Sequence, residues 1–250
     1  MTMGNDAQTA AGEAAGSPEV TERGTAKGDV TVSEPTRAQQ TLARRVAESR
    51  ATVPDFTVRA DVDMETCAAT RAGADGAPSF THLVVKAAAL ALRDVPQING
   101  SYRDNRFEAY SRVNVAIAVD TGGAFVTPTI FDADTKPLAA IAHEARQLAE
   151  AARAGTITAR ELSGATFTVT NLGMHGVAEV DPVIVTPQAA VLGVGAIAPR
   201  LVAGPDGAPA VRRTARLTLS CDHRIVSGVD AARFLAAVRE RLEQPDALLA

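Results

Sequence analysis

The stretch SFTHLVVKAAALALRDV, residues 79 to 95, constrains the fold more than any other. Its period is helical and it offers almost no polar face, so the helix it forms has to be buried on most sides. Around it, strand-like and helical runs interleave. FTVRADVDM (56 to 64) alternates as a strand. RVNVAIAVD (112 to 120) and AFVTPTIF (124 to 131) read as strands joined by Thr121-Gly122-Gly123, and TFTVTNLG (166 to 173), AAVLGVGAI (189 to 197) and TARLTLSCD (214 to 222) as three more. Helices are predicted from the capping-box quartet Thr36-Arg37-Ala38-Gln39 to about Arg50, briefly from Met64, over 136 to 155, and over 229 to 243. Thr158 to Glu161 is a second capping-box match, and ADGAP (74 to 78) reads as a loop. Interleaved elements with long connections predict an α/β fold, a two-layer sandwich with one mixed β-sheet covered by helices.

With 46% apolar residues in 250, the chain can bury a real core, and with no Trp that core must be Val, Leu, Ile and Ala. Residues 1–35 hold no aromatic residue and are rich in Gly, Ala, Thr, Ser and Glu. They are predicted to be a disordered tail, leaving 36–250 as the folded domain. A net charge of −4 with scattered basic residues argues against a nucleic-acid partner. No apolar run reaches the ~18 residues that span a bilayer, and no secretory signal is evident, so no membrane partner and a cytoplasmic location are expected. Cys67 and Cys221 lack metal-ligand spacing; they are expected to be buried free thiols, with no metal centre.

Chemistry concentrates where the apolar run 214–221 ends in Asp222-His223-Arg224, a few residues before a helical pattern begins. A strand end fixes a side chain while the loop leaves it accessible. His82 and His143 fall within helical patterns and are expected to pack or face solvent; His175, in the Gly-rich NLGMHGV loop, could line a pocket. There is no G-x-S-x-G elbow and no phosphate loop. If His223 acts, the fitting role is general-base removal of a proton from a bound hydroxyl or thiol, since a neutral imidazole is available near pH ~6.5 and above.

DHRIVSG resembles the D-H-R-x-x-D-G motif of the dihydrolipoyl acyltransferases, the core components of 2-oxoacid dehydrogenase complexes, which share their fold with chloramphenicol acetyltransferase. QTLARRVAES, PSFTHLVVKAAALALRDVPQINGSY, VNVAIAVDTGGAFVTPTIFDAD, GATFTVTNLGMHGV and TPQAAVLGVGAI resemble further family landmarks in the family's order, over about residues 36 to 248. The resemblance implies a chloramphenicol acetyltransferase-like fold with His223 as the general base. Thr170 would be the hydroxyl donor to the tetrahedral oxyanion. It also implies a homotrimer with active sites at subunit interfaces, so that His223 faces Thr170 of a neighbour. Acetyl-CoA or another acyl-CoA would be the co-substrate, with no permanently bound cofactor. Ser227 stands where the family usually has Asp and sometimes Asn. It can still hydrogen-bond in the site, or it can serve as a helix N-cap with Asp230.

Full-length family members carry lipoyl and subunit-binding domains that 35 low-complexity residues cannot hold, although RGTAKGDVT (23 to 31) resembles the end of the latter. The expected reading is therefore a stand-alone O-acetyltransferase acting on a small-molecule or carrier-bound hydroxyl, as in tetronate or antibiotic biosynthesis. The alternatives are a truncated dihydrolipoamide acyltransferase core and a catalytically silent trimeric scaffold.

Overall fold

The computed structural model describes residues 20–73, 78–123, 125–204 and 207–249. The chain forms two compact units, Met1–Thr41 and Leu42–Ala250. In the first, strands β1 (Val20–Thr25) and β2 (Gly28–Ser33) pair antiparallel. This corrects the expectation of a wholly disordered tail to residue 35: Gly28, at φ 92, closes a tight turn that needs no aromatic anchor. Residues 1–19 of that predicted tail lie outside the described residues. Helix α1 (Arg37–Thr52) starts at the predicted capping box, where Thr36 N–H donates to Gln39 Oε1 (2.8 Å) and Gln39 N–H to Thr36 Oγ1 (3.3 Å).

The chain continues through β3 (Asp55–Asp63), α2 (Glu65–Gly73), α3 (Phe80–Asp94), β4 (Gly100–Arg103), β5 (Arg106–Ala109), β6 (Val115–Ile117), β7 (Val119–Asp120), β8 (Phe125–Val126), β9 (Thr129–Ile130), α4 (Leu138–Ala154), β10 (Phe167–Asn171), β11 (Ala190–Val194), β12 (Ala198–Ala203), β13 (Pro209–Asp222) and α5 (Gly228–Glu243). The ADGAP loop lies outside the described residues except for Pro78. The predicted strands 112 to 120 and 124 to 131 break into four short ones, because Pro128 cannot donate to a ladder and its carbonyl instead accepts from Ile117 N–H. The Thr158–Glu161 box forms, with Glu161 accepting from Thr158 N–H (2.7 Å), but it closes a single turn, not a helix.

One mixed sheet organises this unit. Its order is β12-β13-β11-β10-β6-β9, with β3 along the other side of β13. β10 runs parallel to β6 and β11; the remaining pairs are antiparallel. The architecture is the predicted α/β fold with a mixed sheet and covering helices. α3, apolar on nearly every side, is buried from His82 to Ala89. α5 lies on β3 and against α3, and Phe234 on α5 meets Phe167 on β10 with ring centroids 5.4 Å apart. Leu217, Leu219 and Cys221 of β13 point into this core, as period-2 geometry requires. Thr218 and Ser220, on the opposite face, are buried too. There the segment 177–184 lies across the strands so closely that a Cβ on Gly195 would sit 2.0 Å from Ala178 O. Ser49 of α1 ties that segment down, its hydroxyl donating to Ile184 O at 2.7 Å. Cys67 and Cys221 are free and buried, and burial pushes their thiols up to about 11 and about 12. Among the described residues no helix is long and apolar enough to cross a membrane.

Candidate active site

His223 follows directly on the last residue of β13. Its backbone N–H donates to Pro54 O (3.0 Å), which fastens the loop to the start of β3. The ring is exposed and rests against Phe56, with centroids 4.4 Å apart and planes tilted by 40°. Its Nδ1 lies 3.2 Å from the carbonyl oxygen of Val226. A carbonyl can only accept, so Nδ1 carries the proton of the neutral ring and Nε2 presents a bare lone pair. That is the protonation pattern a general base requires.

The loop behind the ring is built by its neighbours. Asp222 is 3% exposed, and a buried carboxylate has to be matched in charge. Arg224 matches it through Nη2 (2.7 Å) and Nε (2.9 Å), and donates its own backbone N–H to the same carboxylate at 3.0 Å. The Asp222 carbonyl accepts from Ile225 and Val226 N–H, closing a turn. The charged cluster at the end of β13 thus divides its labour: two residues fold the loop and the third displays an imidazole.

Ser227 is the N-cap of α5. Its hydroxyl accepts from Asp230 N–H (3.2 Å) and donates to the Asp230 carboxylate (2.5 Å), which in turn accepts from Ser227 N–H (3.3 Å). Of the two roles open to Ser227 in the sequence, the hydrogen bonds made in the structure are those of the cap.

Thr170 sits near the end of β10, half-buried, on the wall of an open cavity of about 1150 Å³. Asn171, Met174, His175, His82 and Arg146 share that wall; His223 is not part of it. His175 therefore does line a pocket. His143 is exposed. His82 does more than pack: its Nδ1 accepts Ser79 N–H (3.0 Å) and completes the box that caps α3. Burial, and secondarily the Arg146 charge, push its ring down to about 4 from 6.5. The folded chain thus refuses a proton that the unfolded chain accepts. The stability is full above about pH 6.5 and falls as pH drops toward 4, by on the order of 2–3 kcal/mol from this group. Urea unfolding at pH 7.5 and 4.5 should show this loss, and His82→Gln, which keeps an acceptor for the cap, should remove that part of the pH dependence.

The sheet register decides whether one chain can bring Thr170 and His223 together. Thr170 is opposite Gly193 of β11, and Gly193 opposite Thr218 of β13. His223 lies five residues further along. Two strand spacings sideways and five residues lengthwise separate the two backbones by roughly 19 Å. No rotamer of either side chain closes that gap. Thr170 and His223 therefore face different surroundings within one chain. Each has exposed apolar side chains nearby in sequence or space: Met174 (72% exposed) by Thr170, and Val229 (59%) by His223.

A mixed sheet of this order, with an imidazole at the mouth of its long strand, defines a chloramphenicol acetyltransferase-like α/β protein. Chloramphenicol acetyltransferase itself overlays with a TM-score of 0.51 at 15% identity, over 80% of this chain and 94% of that one, a likeness of fold alone. More specifically, the chain belongs to the family of 2-oxoacid dehydrogenases acyltransferase (catalytic domain), whose model matches residues 27–250. It is 36% identical to the dihydrolipoyllysine-residue acetyltransferase component of the mitochondrial pyruvate dehydrogenase complex of Caenorhabditis elegans, over 84% of this chain and 44% of that protein. Among solved structures, it is similar to the dihydrolipoamide acetyltransferase of Azotobacter vinelandii studied for the role of a serine, a histidine and an asparagine in its catalytic mechanism. That match has a TM-score of 0.84 at 30% identity and covers 90% of this chain and 96% of that one. The cubic core of a pyruvate dehydrogenase multienzyme complex matches with the same TM-score at 31% identity, over the same shares of the two chains. The chain spans less than half the length of the first curated relatives it matches.

Proposed function

We propose that this chain is an acyltransferase of the dihydrolipoamide acetyltransferase core type, moving an acetyl group between CoA and a lipoyl thiol at sites shared by neighbouring protomers. The Nδ1–Val226 contact carries the reading, because it leaves His223 Nε2 as a base facing solvent. His223 takes the proton of the acceptor thiol, and the thiolate attacks the thioester carbonyl of acetyl-CoA. The carbonyl π electrons move onto oxygen, where Thr170 Oγ donates a hydrogen bond to the oxyanion. Collapse expels the CoA thiolate, which recovers the proton from the imidazolium. No permanently bound cofactor enters the step.

The roughly 19 Å between His223 and Thr170 within a chain supports a homotrimer in which His223 of one protomer meets Thr170 of the next. The similarity to the cubic core of a multienzyme complex supports an oligomer as well. In the Azotobacter enzyme the histidine and asparagine singled out for study are four residues apart, as are His223 and Ser227 here. Given its hydrogen bonds, Ser227 acts by positioning the start of α5. Ser227→Ala is expected to lower stability by about 1 kcal/mol in a urea titration while leaving kcat unchanged. A tenfold loss of kcat at unchanged stability would assign the hydroxyl to the reaction instead.

The relatives favour a lipoyl thiol over the hydroxyl acceptor of a stand-alone O-acetyltransferase, and nothing in them supports antibiotic biosynthesis. Incubation with acetyl-CoA and either dihydrolipoamide or small alcohols, with CoA separated by chromatography and products identified by mass, tests the choice. S-acetyldihydrolipoamide is the expected product. Turnover with alcohols alone would restore the O-acetyltransferase reading, and an intact oligomer without any turnover would leave a silent scaffold.

A further inference from the structure

We propose that Tyr102, on the β4–β5 hairpin, is a positioning residue for His223, acting through Arg224 and Asp222; this rests on the histidine-base reading above. The hairpin runs directly against the loop that carries the imidazole. Gly100 O accepts from Ala189 N–H (3.0 Å), and Ala189 O accepts from Asp222 N–H (2.8 Å). A Cβ at Gly100 would stand 2.5 Å from Glu108 O and 3.3 Å from Ile225 Cδ1, so only bare backbone fits there. Two residues on, the Tyr102 ring lies under the Arg224 guanidinium, 4.5 Å from its central carbon to the ring centroid.

That guanidinium holds the whole loop. Its edge grips the buried Asp222 carboxylate, and Asp222 shapes the turn whose Val226 carbonyl fixes Nδ1 of His223. An aromatic face attracts the cation and keeps water off it, which strengthens its pairing with Asp222. Without the ring, Arg224 can swing toward solvent. Asp222 then loses its match, the turn loosens, and the imidazole can exchange which nitrogen carries the proton.

Tyr102 is itself held still. Its hydroxyl donates to Asn105 Oδ1 (2.8 Å), across a hairpin turn in which Asp104 and Asn105 take φ of 50° and 59°. Phe107 packs on the ring with centroids 5.8 Å apart. Because the hydroxyl is engaged by Asn105, Arg224 meets the ring face alone, and a phenyl ring supplies the same face.

The test compares Tyr102→Leu with Tyr102→Phe in the full chain, using acetyl-CoA and dihydrolipoamide. Tyr102→Leu should lower kcat about fivefold to tenfold with KM for acetyl-CoA unchanged, and Tyr102→Phe should restore it. Nitrogen NMR of the imidazole should show one tautomer, protonated at Nδ1, in wild type and Tyr102→Phe, and a mixture in Tyr102→Leu. If Tyr102→Leu does not fold, Tyr102→Met makes the same comparison. A wild-type kcat with an unmixed tautomer in the Leu variant overturns the proposal, as does a Phe variant as impaired as Leu. Should His223→Ala itself transfer acetyl at the wild-type rate, the base reading fails, yet the imidazole spectrum still reports whether Tyr102 orders the ring.

Discussion

Replacing His223 with alanine is expected to lower acetyl transfer to dihydrolipoamide by about 10²–10⁴-fold, the usual worth of a positioned general base. The expectation follows from one distance and one valence argument. Nδ1 is committed to Val226 O at 3.2 Å, so Nε2 is the nitrogen available to a substrate thiol. Because the ring is exposed and rests against Phe56 on the surface, its removal leaves no buried cavity. Unfolding midpoints and the size of the oligomer should therefore stay at wild-type values while the rate collapses. A slow variant that is also unstable or dissociated would mean that the ring serves the fold, and a fast one would remove it from the reaction.

The second large effect concerns Thr170, and it has a form that only a shared site can show. Thr170→Ala should lose about 10²–10³ in kcat, or 2.7–4 kcal/mol of transition-state stabilisation, if its hydroxyl donates to the developing oxyanion. Either variant alone is then nearly inactive. Co-expressed so that protomers mix, the two should recover activity. Wherever a Thr170→Ala protomer lends its intact His223 to the intact Thr170 of a His223→Ala neighbour, a complete site forms. Random mixing of equal amounts should restore about a quarter of the sites in a cyclic trimer. Sites complete within one chain would give no recovery at all. The roughly 19 Å implied by the sheet register makes recovery the expected result.

How far these residues could be foreseen depended on the range of the forces that place them. The helix 79 to 95, the capping boxes at Thr36 and Ser227, and the strand ending at Asp222 are all written in local pattern, and α3, α1, α5 and β13 appear with them. The elements that went unseen are held by hairpin pairing with the strand next to them in sequence, and their own residues carry little strand pattern. β12 carries Pro199 and Arg200 in an unpromising run, and it is a strand because six residues of β13 align with it. The β4–β5 hairpin had one local signal, the Asp104-Asn105 pair that tolerates positive φ, and this could have been read as a turn. Tyr102 beneath Arg224 had none, since no pattern within either segment relates them across more than a hundred residues. The motif around His223 named a base and the resemblance set Thr170 of a neighbour opposite it; the register adds the separation of the two within one chain.

Which nitrogen of His223 is left bare is decided by a main-chain oxygen. Main-chain atoms are present whatever side chain follows, so point substitutions at 227 can retune the helix start without rewriting the proton inventory of the ring. Serine at 227 is thus compatible with this protonation pattern, which answers instead to whatever alters the curl of the peptide from 222 to 226.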